Sequence, residues 1–469
     1  MLQHHTTGIP YRLIIHFYFL LGFVRQTQVE AVYIYRMWKS TVIRCSVLLI
    51  LALWAVLPSN SQAYDITVSL EEAERLALTR NRNLRFAQRN IEAAAAETLN
   101  AAAFPNPTLA ISGDHLNLKS NPTAFGSRTP TESQIRIDQT FERGDKRALR
   151  MAQAGSELTA TRLDFDDTLR QTRLNVRNAW LELKLAEHNV DLNSIIASQA
   201  EGILELARRR YQAGDLSGAD LGRFEADAAR AQASVRTAES TLTRARTALG
   251  ILLADENHAL QLVTQGDWPE EKIKLPDTAT IATAISQRPD TLAATARVEA
   301  ARHHVGLAQA KRTRDVTVSL QYERQPADIT QPRNSLGFEV SVPLFLGNNF
   351  EGDIRRAHAE MALAEDQLDA IRARTQAEIN QLVDELQRAS DRWHALQEQA
   401  LPAARRTASA AELAFSKGAI SALEFLDAQR ILRAAELDTL QARSDLAQAH
   451  AALDAALETT ISKEQEPAS

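Results

Sequence analysis

Apolar residues recur along this chain with two periods, seven and two, and each period keeps to its own segments. Leu169, Val176, Leu183, Val190, Ala197, Leu204 and Tyr211 lie seven apart, and Phe165, Thr172, Ala179, Ala186, Asn193, Ala200 and Ala207 form a companion row four residues earlier. This sustained heptad predicts a long helix, large on one flank and small on the other. Residues 146–211 contain no proline, so as one helix they span about 100 Å at ~1.5 Å per residue. No globular core needs that length. The segment reads as a helical tube or stalk, with an ordinary soluble coiled coil as the alternative. A less regular row, Ile379, Leu386, Trp393, Ala400, Thr407 and Ala414, predicts a second long helix.

Period two marks the strands. Ile135, Ile137, Gln139 and Phe141 alternate with Arg136, Asp138, Thr140 and Glu142. Val316, Val318, Leu320 and Tyr322 alternate with Asp315, Thr317, Ser319, Gln321 and Glu323. Leu336, Phe338, Val340, Val342 and Leu344 alternate with polar neighbours, and Leu109 and Ile111 begin a fourth run. The predicted strands are 108–118, 131–141, 315–325 and 334–345, each about as long as a membrane β-strand. A small sheet with one wet face is the alternative. The neighbouring helices spend their apolar rows on each other, however, so lipid is the better partner for the apolar strand faces. Arg136, Asp138, Asp315, Glu323 and Glu339 would then face a lumen. Four strands cannot close a barrel, and lipid tolerates no open edge, so several chains must share one barrel.

The chain is also written twice. Ile91-Glu92-Ala93-Ala94 matches Val298-Glu299-Ala300-Ala301, and Leu109-Ala110-Ile111-Ser112 matches Val316-Thr317-Val318-Ser319, both at an offset of 207. Tyr211 to Ser217 matches Phe415 to Ser421 at an offset of 204. Each half reads helix, strand, strand, long helix, glycine turn, long helix. The first repeat is 64–253 and the second 278–469, joined by a weakly patterned linker, 254–277, that carries Pro269 and Pro276. The fold class is mainly α with a small β part.

Composition narrows the class. Aromatics are 6% and glycines 17 of 469 residues, which suits helices better than an all-β sandwich. The formal charge of −6 offers no basic arm for nucleic acid. One cysteine excludes a disulfide framework and cysteine-based metal sites. Residues 37–63 read as a signal peptide: Lys39 and Arg44, an apolar run Val47 to Leu57, then Ser61-Gln62-Ala63. A membrane anchor is the alternative, but the run is shorter than the roughly 20 residues a spanning helix needs. Residues 1–36 read as an upstream extension of the reading frame. Without 1–63 the chain has 48 basic and 58 acidic residues, net −10.

With the duplication, the start Val68-Ser69-Leu70-Glu71-Glu72-Ala73, Pro105-Asn106-Pro107 and the run from Gln139 to Arg147, the sequence resembles the TolC family of outer-membrane efflux proteins over nearly all of 64–469. The last two motifs look most like its cobalt–zinc–cadmium (CzcC-like) branch. The resemblance implies a homotrimer in which each chain gives four strands to a shared outer-membrane β-barrel and its helices to a periplasmic α-barrel tunnel. The linker and C-terminal stretch would form an equatorial collar. It further implies a passive duct, not an enzyme, without cofactor, that docks on a periplasmic adaptor and an inner-membrane pump of the resistance–nodulation–division (RND) type. Heavy-metal cations are the implied cargo. Drug efflux or type I secretion is the runner-up, and a non-pore periplasmic scaffold is the reading of a different class.

The candidate sites lie at the helical turns. Gly214 and Gly418 are expected to take the left-handed conformation, and Ser217 and Ser421 to cap the returning helices. Tyr211 opens the first turn. Turn chemistry alone explains these residue types; a role as the adaptor-contacting tips is the functional reading. Glu424 and Asp427 are three apart on one helix face. Alone that is a solvated face, but the resemblance implies an acidic ring at the closed entrance. It also aligns Asp220 with a position that bonds to a tyrosine across the hairpins, where this chain has Phe415. No metal site is expected, because His303-His304 point about 100° apart and the other histidines scatter.

Overall fold

The computed structural model describes residues 65–114, 132–269, 275–324 and 334–459. The readings of 1–36 and 37–63 concern residues outside these ranges. A short strand β1 (Ile66–Val68) leads into α1 (Leu70–Arg80) and α2 (Arg82–Ala102). Strands β2 (Thr108–Asp114) and β3 (Glu132–Phe141) follow, then the helices α3 (Lys146–Gln212) and α4 (Gly218–Leu253). In the second half, α5 (Thr278–Gln287) and α6 (Pro289–Ala310) precede β5 (Val316–Arg324) and β6 (Asn334–Ser341). Then come α7 (Glu351–His394), a π-helical turn (Ala395–Ala400), α8 (Leu401–Ser416) and α9 (Ala422–Leu457). The order of elements repeats, as the internal matches predict.

Helix α3 runs unbroken for 67 residues. Beside it, α2 and α4, of 21 and 36 residues, meet end to end. Their junction is Asn81. Its extended backbone breaks the helix, its side-chain oxygen accepts from the Asn83 N–H at 2.8 Å, and its amide donates to the Leu252 carbonyl at 2.9 Å. Arg82 adds an ion pair to Glu256, which draws that carboxyl down to about 2. Both heptad rows of α3 face inward along most of its length, with Tyr211 at the end exposed. Thr172, Val176, Ala179, Leu183, Ala186, Ala200, Leu204 and Ala207 are all buried.

The second row departs from expectation at the π-helical turn. Ile379 and Leu386 are buried, but Ala400 and Thr407 are exposed and Ala414 is only half-buried. Leu401, Ala408 and Phe415 are buried instead, each one residue further on. The turn holds one extra residue, which rotates everything after it by about 100°. Strand β6 is also shorter than predicted. It ends at Ser341 rather than 345, before Pro343, which has no N–H for a ladder. Strand β2 is described as far as Asp114, so the rest of 108–118 lies outside the described residues.

The segment 254–277 holds more order than its weak pattern implies. A 3-10 turn, Glu256–Gln261, leads into β4 (Leu262–Thr264), which pairs in parallel with β1. The buried Trp180 indole donates to the Val68 carbonyl at 3.0 Å, and Lys184 Nζ donates to the Gly266 carbonyl at 2.5 Å. Burial, above all, pulls the Lys184 ammonium below its ordinary value.

Arg288, between α5 and α6, is buried. It donates to both Asp290 oxygens (2.8 and 2.6 Å), to Glu378 (3.0 Å) and to the Thr375 hydroxyl (2.7 Å). Burial by itself would raise the Asp290 carboxyl. The hydrogen bonds and charge of Arg288 outweigh it and hold that carboxyl below the ordinary aspartate value. Such a group contributes stability above its unfolded value of about 4, and that stability is lost as pH falls through the folded value. Heating followed by circular dichroism should show the wild type losing more stability than Asp290→Asn between about pH 5 and pH 3. At neutral pH the substitution should cost about 1–3 kcal/mol. Parallel pH curves for the two proteins would contradict this assignment.

Candidate functional site

Strands β2, β3, β5 and β6 form one antiparallel sheet in that order. The register sets Ile111, Ile135, Tyr322 and Leu336 in one cross-strand row, and Leu109, Ile137, Leu320 and Phe338 in the next on the same face. All eight are exposed, Phe338 at 82%. The other face is polar and knit together. Gln134 donates to Gln321 at 2.7 Å, the Thr140 and Thr317 hydroxyls meet at 2.9 Å, and Arg136 pairs with Asp138 at 3.1 Å and Glu339 at 3.9 Å. Gly337 leaves room there for Gln321, whose Nε2 would lie 2.9 Å from an added Cβ. Ser319 is 3% exposed while its neighbour Leu320 is 53% exposed. The sheet is inside-out for water, and its continuous apolar face is a lipid-facing surface.

Asp315 differs from the lumen-facing charge expected of it. It stands before β5, accepts from Lys146 Nζ at 2.8 Å and from the Arg143 N–H at 3.0 Å, and so ties the sheet to the start of α3. The same junction consumes the other motif residues. Gln139 donates to the Pro105 carbonyl at 2.9 Å, Arg147 donates to the Ala102 carbonyl at 2.6 Å, and the Arg147 guanidinium lies 4.2 Å from the Phe104 ring centroid.

At the opposite end of the helices, both turns take the predicted shape. Gly214 (φ 85°) and Gly418 (φ 71°) are left-handed, and Asp215 N–H to the Arg210 carbonyl (2.9 Å) and Ala419 N–H to the Ala414 carbonyl (2.8 Å) close each helix. Ser217 accepts from the Asp220 N–H at 3.1 Å, and Ser421 from the Glu424 N–H at 3.3 Å. Glu424 in turn accepts from the Ser421 N–H at 2.8 Å, completing a capping box. Tyr211 is exposed.

The predicted gate residues are engaged locally. Asp220 bonds to Ser217 (2.8 Å) and Arg223 (2.7 Å), and Asp427 to Arg430 (2.6 Å). Phe415 is buried, stacked on Phe425 with centroids 4.7 Å apart and 5.8 Å from Phe224. Its carbonyl accepts from Arg210 at 3.2 Å. The two hairpins are joined instead by a pair that the sequence reading missed. Arg433 Nη1 lies 3.0 Å from each oxygen of Asp227. Opposite charges near equivalent positions of the two repeats were the available signal. Among the described residues, no cluster of three or more His, Cys, Asp and Glu could hold a metal ion.

An outward-apolar sheet with open edges, set on helices of tunnel length, defines an outer-membrane channel subunit of the TolC-like fold. Residues 74–254 and again 280–459 match the family described as outer membrane efflux protein, and the chain belongs to that family. It is 25% identical over 387 residues to the cobalt-zinc-cadmium resistance protein CzcC of Cupriavidus metallidurans, across 82% of this chain and 89% of that one. It is 26% identical over 297 residues to the pyoverdine export outer membrane protein OpmQ of Pseudomonas aeruginosa, across 60% of each. The crystal structure of the outer membrane protein VceC from Vibrio cholerae has the same fold, with a TM-score of 0.67 at 22% identity, covering 83% of this chain and 96% of that one. The protein is an outer-membrane efflux family member with a large periplasmic helical part.

A charge on the apolar face should cost far more than one on the polar face. Leu320→Lys, in the central strand β5, should lose roughly 2–4 kcal/mol near the bilayer midplane. Gln321→Lys should assemble normally. The fraction of heat-modifiable, membrane-inserted protein measures both, and equal damage would contradict the assigned faces.

Proposed function

We propose that this chain is the outer-membrane duct of a tripartite efflux system, conducting heavy-metal cations passively from the periplasm to the outside. The observation that carries the reading is the outward-apolar sheet with open edges at β2 and β6. Such edges must be paired inside lipid. Three copies supply twelve strands, and the family resemblance favours a homotrimer. A duct of this kind performs no chemistry, and the energy comes from an inner-membrane RND pump reached through a periplasmic adaptor. The hairpin turns at Tyr211, Gly214, Ser217, Gly418 and Ser421 are the proposed adaptor contacts, because they lie at the end farthest from the sheet. The similarity to CzcC supports metal cargo. The similarity to OpmQ supports a second reading, export of a small organic molecule.

Growth of a deletion strain separates the two. Sensitivity to cobalt, zinc or cadmium salts, restored by the gene, supports the first. Sensitivity confined to organic compounds supports the second.

Glu424 and Asp427 are proposed to ring the periplasmic mouth, six carboxylates in a trimer, drawing cations toward it. Glu424→Gln with Asp427→Asn should reduce cation selectivity of single channels in planar bilayers and relieve block by divalent cations. Asp220 and Phe415 make no bond to each other, whereas Asp227 joins the hairpins. Asp227→Ala should therefore raise resting conductance more than Asp220→Ala does. The reverse order would return the closing link to Asp220.

A further inference from the structure

The end of the sheet nearest the helices gathers positive charge. β3 ends there at Phe141 opposite Val316, the start of β5, and β6 ends at Ser341 opposite Thr317. Just beyond these ends lies an open cavity of about 630 Å³, lined by Arg143, Arg312, Thr313, Arg314, Phe345 and Asn349. Three guanidinium groups and no carboxylate line it. The chain as a whole carries 59 acidic residues against 53 basic ones, so the local charge is reversed.

Three nearby carboxylates are committed to other cations, while Asp145, two residues from Arg143, is exposed and does not line the cavity. Asp315 takes Lys146, Glu142 takes Arg150 at 2.5 and 2.8 Å, and Asp353 takes Lys311 at 3.0 Å. Among the described residues, no carboxylate forms an ion pair with Arg143, Arg312 or Arg314. Arg312 Nε donates to the Asn349 carbonyl at 3.1 Å, and the Arg314 guanidinium lies 5.7 Å from the Phe345 ring centroid. Both contacts leave N–H donors free for an anion.

A second observation adjoins the first. Past the end of β6, Val342, Leu344 and Leu346 are all exposed, Leu346 at 90%. No strand ladder requires these side chains to be apolar, because the strand has ended. They continue the i, i+2 spacing of Leu336, Phe338 and Val340, and Phe345, between the last two, lines the cavity. The rim thus offers three unpaired guanidinium groups beside bare apolar surface, and one class of ligand carries both complements. Guanidinium forks bind phosphate oxygens in pairs, and acyl chains cover apolar surface.

We propose that the cavity binds the phosphate headgroup of a membrane glycerophospholipid of the periplasmic leaflet, whose acyl chains lie on the apolar face of the sheet. Arg143 and Arg314 hold the phosphate, and Phe345 orients Arg314. The bound lipid fixes the depth of the barrel at the junction between sheet and helices.

Native mass spectrometry of the full oligomer in mild detergent tests this, with phosphatidylglycerol as the probe. The wild type should keep the lipid through collisional activation, and R143Q with R314Q should keep about thirtyfold less, as expected when two juxtamembrane charges are lost. Diacylglycerol, which has no phosphate, should be kept by neither. R143K with R314K should fall between, because it keeps the charge but not the fork. Equal retention by wild type and R143Q/R314Q would overturn the proposal. Displacement by excess inorganic phosphate would make the cavity a free-anion site and also overturn it. Should the double variant not assemble, R143Q and R314Q singly decide, each with about fivefold weaker retention expected. Oligomers that fall apart in both singles would assign these arginines to subunit contact and overturn it as well.

Discussion

A backbone amide in hydrocarbon has no water to bond to, and the rest of this structure follows from that constraint. The apolar face of the four-stranded sheet looks outward, so the sheet belongs in lipid, yet among the described residues β2 and β6 each end it with an unpaired ladder. Pairing β6 of one copy with β2 of the next removes both edges, and only a closed ring of copies removes them all. The polar face then has to be the inner one. Its side chains already behave that way, bonding to each other through Gln134, Gln321, Thr140 and Thr317 rather than reaching outward.

A ring of strands constrains the helices that hang from it, because each chain enters and leaves the sheet at fixed positions. The chain turns from strand to helix through left-handed residues in both repeats. Gly144 and Asp145 have φ of 71° and 57° before α3, and Phe350 has 59° before α7. A Cβ at position 144 would lie 2.7 Å from Thr313, so the turn packs directly on the segment leading into β5. Lys146 and Asp315 close the same corner. The corner therefore sets the angle between sheet and helix by close packing and a half-buried ion pair. The end-to-end stacking of α2 on α4 then carries a continuous wall alongside most of α3.

Much of this was legible from spacing alone. Periods of seven and two are signatures of burial, and burial is what the rows of α3 and the alternation of β3 and β5 report. The misses have a common cause, which is that they depend on distant or single-residue events. The π-helical turn moves the buried row by one residue without any change of residue type. Pro402 was the available clue, since it lacks the N–H that would bond one turn back and loosens the turn before it. β1 and β4 are three residues each, with partners such as Ile66 and Leu262 far apart in sequence, too short to show a period. Asp315 fits the strand alternation by position, but Lys146 claims it. At the hairpins, glycine and serine announced the turns, whereas the capping role of Glu424 competes locally with any role at a mouth.

The two repeats also diverge where the hairpins meet. Tyr211 and Phe415 are equivalent in sequence, yet Tyr211 is exposed and Phe415 is buried between Phe224 and Phe425. Duplication makes the sequences alike but cannot make the neighbours alike, because each hairpin packs against the other rather than against itself. With an aromatic core at this level, a hydroxyl at position 415 would have to be buried beside phenyl rings. Besides the bond from Arg210 to the Phe415 carbonyl, an ion pair joins the hairpins at Asp227, seven residues or about 10 Å further along α4 than Asp220. The Arg433 and Asp227 side chains are only 15% and 27% exposed there. An ion pair so shielded is less screened than one at an open tip, and separating it strands two charges in a poorly solvated groove. Any movement that parts these two hairpins of one chain must break this pair, so it adds to the cohesion of the bundle above the turns.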